Sequence, residues 1–321
     1  VPDRIVVSDK LGVAGLEVLR GIAGYEVTDV AGKGSEALDA ALPDAVALVV
    51  RSETKVTAAM IAKAPRLRVI GRAGMGVDTI DVEEASRRKI AVLTAPGANS
   101  NSVAEFTFAL LLAIARKVSA SAASLAAGKW DRKVFEGTEL RGKTLGLIGV
   151  GRIGGIVGSI GAGFGMTVIG TDPRCTPEQS LALGAELVSL DELLRRADVV
   201  SLHAKLTPET KHLLNEARLR AMKKGVLIVN TARGALIDDA ALEKALVDGH
   251  VAGAALDVYE SEPLPADSVL RGAPNVVLTP HLAASAKEAQ TRVALEIGEA
   301  VKAFLTSGDL SAAVNRKRIG R

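Results

Sequence analysis

Three side chains in the second half of this 321-residue chain have the types needed to move a proton and grip an anion: Arg233, Glu262 and His281. An imidazole titrates near neutral pH, so His281 can take a proton or return it. A carboxylate behind an imidazole fixes its tautomer and steadies the imidazolium, and Glu262 suits that part. A guanidinium keeps its charge and can hold a carboxylate through two parallel hydrogen bonds, so Arg233 suits an anionic group beside a reacting carbon. An alcohol next to a carboxylate, giving its proton to a base and its hydride to an acceptor, needs this set. Each residue follows an apolar run: Arg233 comes after Asn230, Thr231 and Ala232, Glu262 shortly after Asp257, and His281 after Thr279 and Pro280. Open α/β sheets gather ligands outside the carboxyl ends of their strands, so all three are expected on one sheet edge.

Upstream, Gly149, Gly151 and Gly154 stand at G-x-G-x-x-G spacing at the end of an apolar run over 145–150. A helical pattern follows, then a second apolar run over 167–170, then Asp172, 18 residues beyond the third glycine. Strand, glycine turn, helix, strand and terminal acid are the sequence form of a dinucleotide-binding βαβ unit. Gly149 permits the tight turn, Gly151 lets the backbone approach a pyrophosphate, and Gly154 lets the helix lie close on the sheet. The helix N-terminus offers N–H groups and partial positive charge to the phosphates. A carboxylate at Asp172 accepts from ribose hydroxyls and repels a 2′-phosphate, which favours NAD over NADP. Arg174 pulls the other way, although a solvated loop arginine accounts for it.

The elements that must position these groups alternate along the chain, apolar runs with amphipathic stretches, which argues for parallel sheets. Strands are expected over 4–8, 26–30, 45–50, 68–71 and 91–93, and again over 198–203, 225–230, 252–257 and 275–279. Helical patterns lie between, among them 57–64, 82–89, 191–196 and 239–248, with a last helix over 286–306. Ser102 and Glu105 read as a capping box that opens a long apolar helix over 103–115. The expected fold class is α/β, with two Rossmann-like doubly wound parallel-sheet domains. Residues 1–98 and 284–321 are expected to form a flavodoxin-like substrate domain, and 99–283 a dinucleotide-binding domain inserted into it.

Composition narrows the function classes. The chain is 48% apolar and 24% charged, ordinary for a soluble globular protein. The net charge of +3 traces to Arg316, Lys317, Arg318 and Arg321; without them Lys and Arg fall from 40 to 36 against 37 acids. No basic face for nucleic acid is expected, and the NRKRIGR tail reads as a solvated end or as the start of a further segment. Cys175 is alone, so no internal disulfide can form and a reducing, cytoplasmic setting is expected. The four histidines show no metal-ligand spacing, and His203, His212 and His250 read as structural. No apolar run reaches the length of a membrane span, and Val1 in place of Met suggests trimming.

The order GVGRIG, TARG, DVYESEP and TPHL resembles the D-isomer-specific 2-hydroxyacid dehydrogenase family over almost the whole chain. The resemblance implies an NAD-dependent enzyme in which His281 is the acid/base, Glu262 orients it and Arg233 binds the substrate carboxylate and carbonyl. It implies Arg152 and Ile153 at the pyrophosphate, Asp172 at the adenosine ribose, and Thr231, Ala232 and Asp257 beside the nicotinamide. Arg51, Arg72 and the loop of Gly74, Met75, Gly76 and Val77 would meet the substrate, Arg51 taking a phosphate. The branch that the RSETKVT, GRAGMGVD and NSNSVAE stretches resemble oxidises 3-phospho-D-glycerate to 3-phosphohydroxypyruvate, on the way to L-serine. That branch implies a homodimer through the nucleotide domain, with Trp130, Arg132 and Lys133 reaching a neighbour, and the chain reads as a form without the regulatory domains that often follow. Three departures stand out: Met75 replaces a small or hydroxyl residue, Ala283 a glycine, and Ala204-Lys205 a Thr-Pro or similar pair. A glyoxylate or hydroxypyruvate reductase would need no Arg51. An NAD-sensing binding protein of the corepressor kind would tolerate loss of the three reactive groups.

Overall fold

The computed structural model describes residues 3–320; Val1, Pro2 and Arg321, the last residue of the basic tail, lie outside the described residues. The chain forms two compact units, Val1–Asn99 with Ser285–Arg321, and Ser100–Ala284, so the second is inserted into the first. Each is an α/β unit built on a parallel sheet.

The first unit holds β1 (Asp3–Val7), β2 (Tyr25–Asp29), β3 (Ala45–Val50), β4 (Val69–Arg72) and β5 (Ala91–Thr94). Their order is β2-β1-β3-β4-β5, all pairs parallel, which is the flavodoxin-like arrangement. All six residues of β3 are buried, with no alternation, because helices cover both faces of the sheet. The helices Val13–Arg20 and Lys287–Ser307 pack at glycine: a Cβ on Gly15 would lie 2.4 Å from the Ala294 carbonyl oxygen. The last helix therefore returns to the first unit because small residues let its backbone close on an N-terminal one.

The tail corrects an expectation. Asn315 is 3% exposed, accepts the Val92 N–H at 3.0 Å and donates to the Ile90 carbonyl at 2.9 Å. Thr94 and Val314 exchange backbone bonds across the same edge with Ala312 and Val92. The free edge of β5 has unpaired backbone groups to satisfy, and the C-terminal segment covers them. Ile319 is buried; Arg316, Lys317 and Arg318 remain exposed.

The second unit holds β6 (Thr144–Ile148), β7 (Thr167–Thr171), β8 (Glu186–Leu187), β9 (Val199–Leu202), β10 (Val226–Asn230), β11 (Val251–Leu256) and β12 (Val276–Leu278). The order β12-β11-β10-β9-β6-β7-β8 is doubly wound, reversing between β6 and β9. Two apolar clusters fill its faces, one around Leu193, Leu242 and Ile228, the other around Leu111, Val157 and Leu147. The helix Ser100–Ala115 starts earlier than the capping-box reading allowed. Ser102 falls inside its first turn and is 7% exposed, while Glu105 accepts from Asn101 Nδ2 at 2.6 Å. Ser102 and Val103 are both buried within the helix, so Ser102 does not stand at its N-cap. Among the described residues no single helix is long and apolar enough to cross a membrane.

Candidate active site

Because every strand of the second unit runs the same way, every carboxyl end lies on one edge. The glycine turn follows β6, Asp172 follows β7, His203 follows β9, Arg233 follows β10, Glu262 follows β11 and His281 follows β12. The parallel topology thus gathers groups spread over 133 residues, from Gly149 to His281, on one rim.

His281 Nδ1 and Glu262 Oε2 are 2.8 Å apart. An ionised carboxylate can only accept, so Nδ1 carries the hydrogen and Nε2 is left as the free acceptor. The hydrogen bond from His281 to Glu262 raises the imidazole pKa above its usual value; burial and the charge of Arg233 oppose the rise, while Glu262 and Asp257 add to it. Burial pushes the Glu262 carboxyl up, but the bonds from His281 and the Tyr259 N–H, with the charges of His281 and Arg233, outweigh it and leave the pKa low. The Tyr259 N–H donates to Glu262 Oε1 at 3.1 Å. Both side chains are partly open to solvent, so a ligand can reach the pair.

His281 has φ +54, an uncommon conformation for a residue with a side chain. What holds it there is Asp257, fully buried, which accepts from Thr279 Oγ1 at 2.6 Å and from the Leu282 and Ala283 N–H groups at 2.8 Å each. The three bonds leave the carboxylate acceptor capacity beyond the loop it fastens. With no exposure and three donors on its two oxygens, its carboxylate fastens the histidine loop. Ala283 gives that loop one of its N–H donors.

Arg233 sits in a turn closed from inside by Asn230, and its Nη1 donates to the Ala232 carbonyl at 2.6 Å. Arg233, Glu262 and His281 follow the neighbouring parallel strands β10, β11 and β12, and the positive charge of Arg233 acts to lower the pKa of both the carboxyl and the imidazole. Thr231 is 8% exposed and bonded to Thr107 Oγ1 at 2.9 Å, which ties this turn to the helix Ser100–Ala115. Sequence reasoning missed Asn230 and Tyr259. Their only signal is position, one at a strand's end and one three residues before the acid.

The glycine turn has the geometry a dinucleotide needs. Gly149 has φ +99, and a Cβ there would lie 2.7 Å from the His203 carbonyl carbon. A Cβ on Gly154 would lie 2.2 Å from the Gly149 carbonyl oxygen, whereas one on Gly151 would meet nothing within 4 Å. The first and third glycines are thus required by the protein's own packing, and the second faces open space. Arg152 and Ile153 begin the helix Arg152–Gly163, whose N-terminus points its amides toward that space. Asp172 accepts from the Val150 and Arg174 N–H groups at 3.2 and 2.9 Å, which fixes its carboxylate. A recess of about 600 Å³ lies between, lined by Gly151, Arg152, Asp172, Arg174, Cys175 and Leu183. The recess and the fixed carboxylate at its wall have the chemistry to accept an adenosine and its ribose hydroxyls. The Arg174 guanidinium stays mostly exposed, 3.9 Å from Asp172.

The other histidines have local partners. His203 Nε2 lies 2.9 Å from Ser201 Oγ, and burial pushes its pKa down to about 4, so it is neutral. His212 Nε2 meets Glu260 at 2.9 Å and His250 Nε2 meets the Leu219 carbonyl at 3.0 Å.

The first unit groups its own expected residues at the carboxyl ends of the paired strands β3 and β4. Arg51 follows β3; its N–H donates to the buried Asp9 at 2.6 Å and its Nη1 to the Lys10 carbonyl at 3.1 Å. Arg72 ends β4 and donates to the Ala73 carbonyl at 3.0 Å. Its guanidinium lies against Gly74, where a Cβ would come within 1.5 Å of Nη1. Met75 is exposed, and Gly76 and Val77 complete the loop. Asp9 is a further residue the sequence did not flag.

Comparison with known proteins agrees with this geometry. Residues 108–283 match the family model described as D-isomer specific 2-hydroxyacid dehydrogenase, NAD binding domain. A D-3-phosphoglycerate dehydrogenase of Methanocaldococcus jannaschii is 46% identical over 317 residues, 98% of this chain and 60% of that protein. The chain therefore spans about three-fifths of the length of the curated relatives it matches. A Thermus thermophilus protein of known structure superposes with a TM-score of 0.87 at 40% identity, covering 97% of this chain and 99% of its own. An NAD-dependent formate dehydrogenase from Staphylococcus aureus, in complex with NAD, superposes with a TM-score of 0.84 at 32% identity, covering 95% and 96%.

Proposed function

The chain belongs to the D-isomer-specific 2-hydroxyacid dehydrogenase family, and from that premise we propose that it oxidises 3-phospho-D-glycerate to 3-phosphohydroxypyruvate with NAD, a step toward L-serine. The observation that carries this reading is the Glu262–His281 pair under the charge of Arg233, on the same sheet edge as the glycine turn. The naming of the Methanocaldococcus jannaschii relative supports the choice of substrate. The fold alone does not, since a formate dehydrogenase shares it.

His281 presents Nε2 to the substrate's 2-hydroxyl and takes its proton. Glu262 stabilises the imidazolium that forms. Arg233 holds the substrate carboxylate and steadies negative charge as it grows on the oxygen. NAD, when bound, supplies the ring that accepts the hydride from C2. Gly149 and Gly154 shape the turn at which Gly151, Arg152 and Ile153 would hold its pyrophosphate, while Asp172 would hold its ribose and Thr231, Ala232 and Asp257 would stand on the nicotinamide side. In the reverse direction His281 returns the proton. Arg51 takes the substrate's phosphate, with Arg72 and the loop 74–77 holding the remaining oxygens.

The working form is a homodimer through the second unit. The helix Val118–Ala126 has no buried residue, and Val118, Leu125, Trp130 and Val134 are all exposed. Trp130, 77% exposed, is not a core residue, and Arg132 and Lys133 lie beside it. A row of exposed apolar side chains of this kind is what a second copy would cover. Cytoplasmic location remains the reading of the single cysteine.

A substrate panel tests the proposal. Purified protein with NAD should favour 3-phosphoglycerate over glycerate and lactate in kcat/KM, and with NADH should favour 3-phosphohydroxypyruvate over glyoxylate. No advantage for the phosphorylated acid would remove the phosphate assignment and leave a general 2-hydroxyacid dehydrogenase.

A further inference from the structure

We propose that Asn230 is the positioning residue that aims Arg233 at the substrate. It ends β10 and is 1% exposed. Its Nδ2 donates to the Arg233 carbonyl at 2.8 Å, and its Oδ1 accepts the Ala232 N–H at 3.0 Å. One side chain thus closes the turn from inside, binding a backbone group on each of the two residues that set where the guanidinium leaves the chain. Its own carbonyl accepts the Asp257 N–H at 3.0 Å, which joins the turn to the next strand.

The following residue fixes the turn in space. A Cβ on Gly234 would lie 1.9 Å from the Tyr259 carbonyl carbon, so the turn sits directly on the backbone whose N–H holds Glu262. The register of Arg233 against Glu262 and His281 is therefore set by backbone on backbone, and Asn230 is the clip that keeps it. An aspartate of the same shape would keep the acceptor for Ala232 but lose the donor to the Arg233 oxygen, and it would bury a charge against that oxygen.

The inference rests on Arg233 holding the substrate carboxylate. Its test compares Asn230→Ala and Asn230→Asp with wild type in the full chain. Three quantities are read: NADH affinity by fluorescence, the inhibition constant of oxamate as a mimic of a 2-oxo acid, and kcat/KM for the best 2-hydroxy acid. NADH affinity should stay within about twofold, while oxamate binding weakens roughly tenfold and kcat/KM falls about 10- to 100-fold in both variants, the range of a hydrogen bond to a charged group. Oxamate affinity unchanged in either variant would overturn the proposal. So would an equal loss of NADH affinity, or failure of both variants to fold, because each makes Asn230 a general structural residue. A wild-type enzyme indifferent to oxamate would remove the carboxylate reading of Arg233 itself and this inference with it.

Discussion

Glu262 puts one carboxylate oxygen 2.8 Å from His281 Nδ1 and the other 3.1 Å from the Tyr259 N–H, so neither oxygen is free to turn away from the imidazole. The pair has a directional pH signature. His281 must be neutral to accept the hydroxyl proton, and the bond to Glu262 holds its pKa above the usual value. Oxidation should rise with pH through that raised pKa, and reduction, which needs the imidazolium, should fall over the same range. Glu262→Gln removes the charge, so the pKa drops back toward about 6.5. Its oxidative limb should move to lower pH, and its reductive kcat/KM should fall. Profiles in both directions check this; a limb that stays in place would mean that another group titrates the reaction.

Arg51 gives a second, separable outcome. Its backbone is anchored by Asp9, so shortening its side chain should leave the loop in place. Arg51→Ala should raise KM for 3-phosphoglycerate roughly 10- to 100-fold, the worth of a charge-assisted bond, with kcat little changed. Steady-state kinetics on glycerate provide the control, since an acid without phosphate should hardly notice the change. A variant that weakens both substrates alike would assign Arg51 to the loop and not to the phosphate.

Much of this was legible in the residues. Two alternating blocks gave two parallel sheets, because a βαβ crossover leaves a recurrent period that composition cannot hide. Arg233, Glu262 and His281 were legible because each follows a strand, and parallel strands share an edge. The supporting residues were not. Asn230 and Asp257 do their parts through bonds to backbone groups that become neighbours only in the folded chain, 3 and up to 26 residues away. The tail misled for a similar reason. Its charges are local and visible, whereas the edge of β5 that Asn315 satisfies lies 223 residues upstream.

Asp172 should decide the cofactor. Two backbone N–H groups fix its carboxylate at the recess, where a 2′-phosphate would meet like charge. Asp172→Ser should weaken NADH binding about tenfold and narrow the preference over NADPH, with Arg174 at hand to receive the phosphate. Fluorescence titration of both cofactors measures this. An unchanged ratio of affinities would mean that the ribose does not lie on Asp172.

The exposed row on the second unit makes a claim about assembly. Leu125 is 58% exposed on a helix that buries nothing within its own chain. Leu125→Glu should therefore leave the thermal transition of the isolated fold near that of wild type, apart from the dimer's own contribution, which depends on concentration. Analytical ultracentrifugation should show the dimer shifting to monomer. A variant that remains fully dimeric would place the interface elsewhere.

The glycine turn separates folding from binding within four residues. Gly154→Ala forces a methyl to 2.2 Å from a backbone oxygen that no rotamer can move, so it should destabilise by about 1–3 kcal/mol and lower the melting temperature by several degrees. Gly151 is different. Its φ of −84 suits any residue, and a methyl there meets no protein atom within 4 Å, so Gly151→Ala should melt within about 0.5 kcal/mol of wild type. The same methyl enters the space where the backbone must approach a pyrophosphate, and NADH affinity should fall roughly tenfold or more. Thermal melts and NADH titrations on the two variants should therefore separate, stability lost at one glycine and binding lost at the other. If Gly151→Ala binds NADH as wild type does, the open space beside it is not where the phosphates lie.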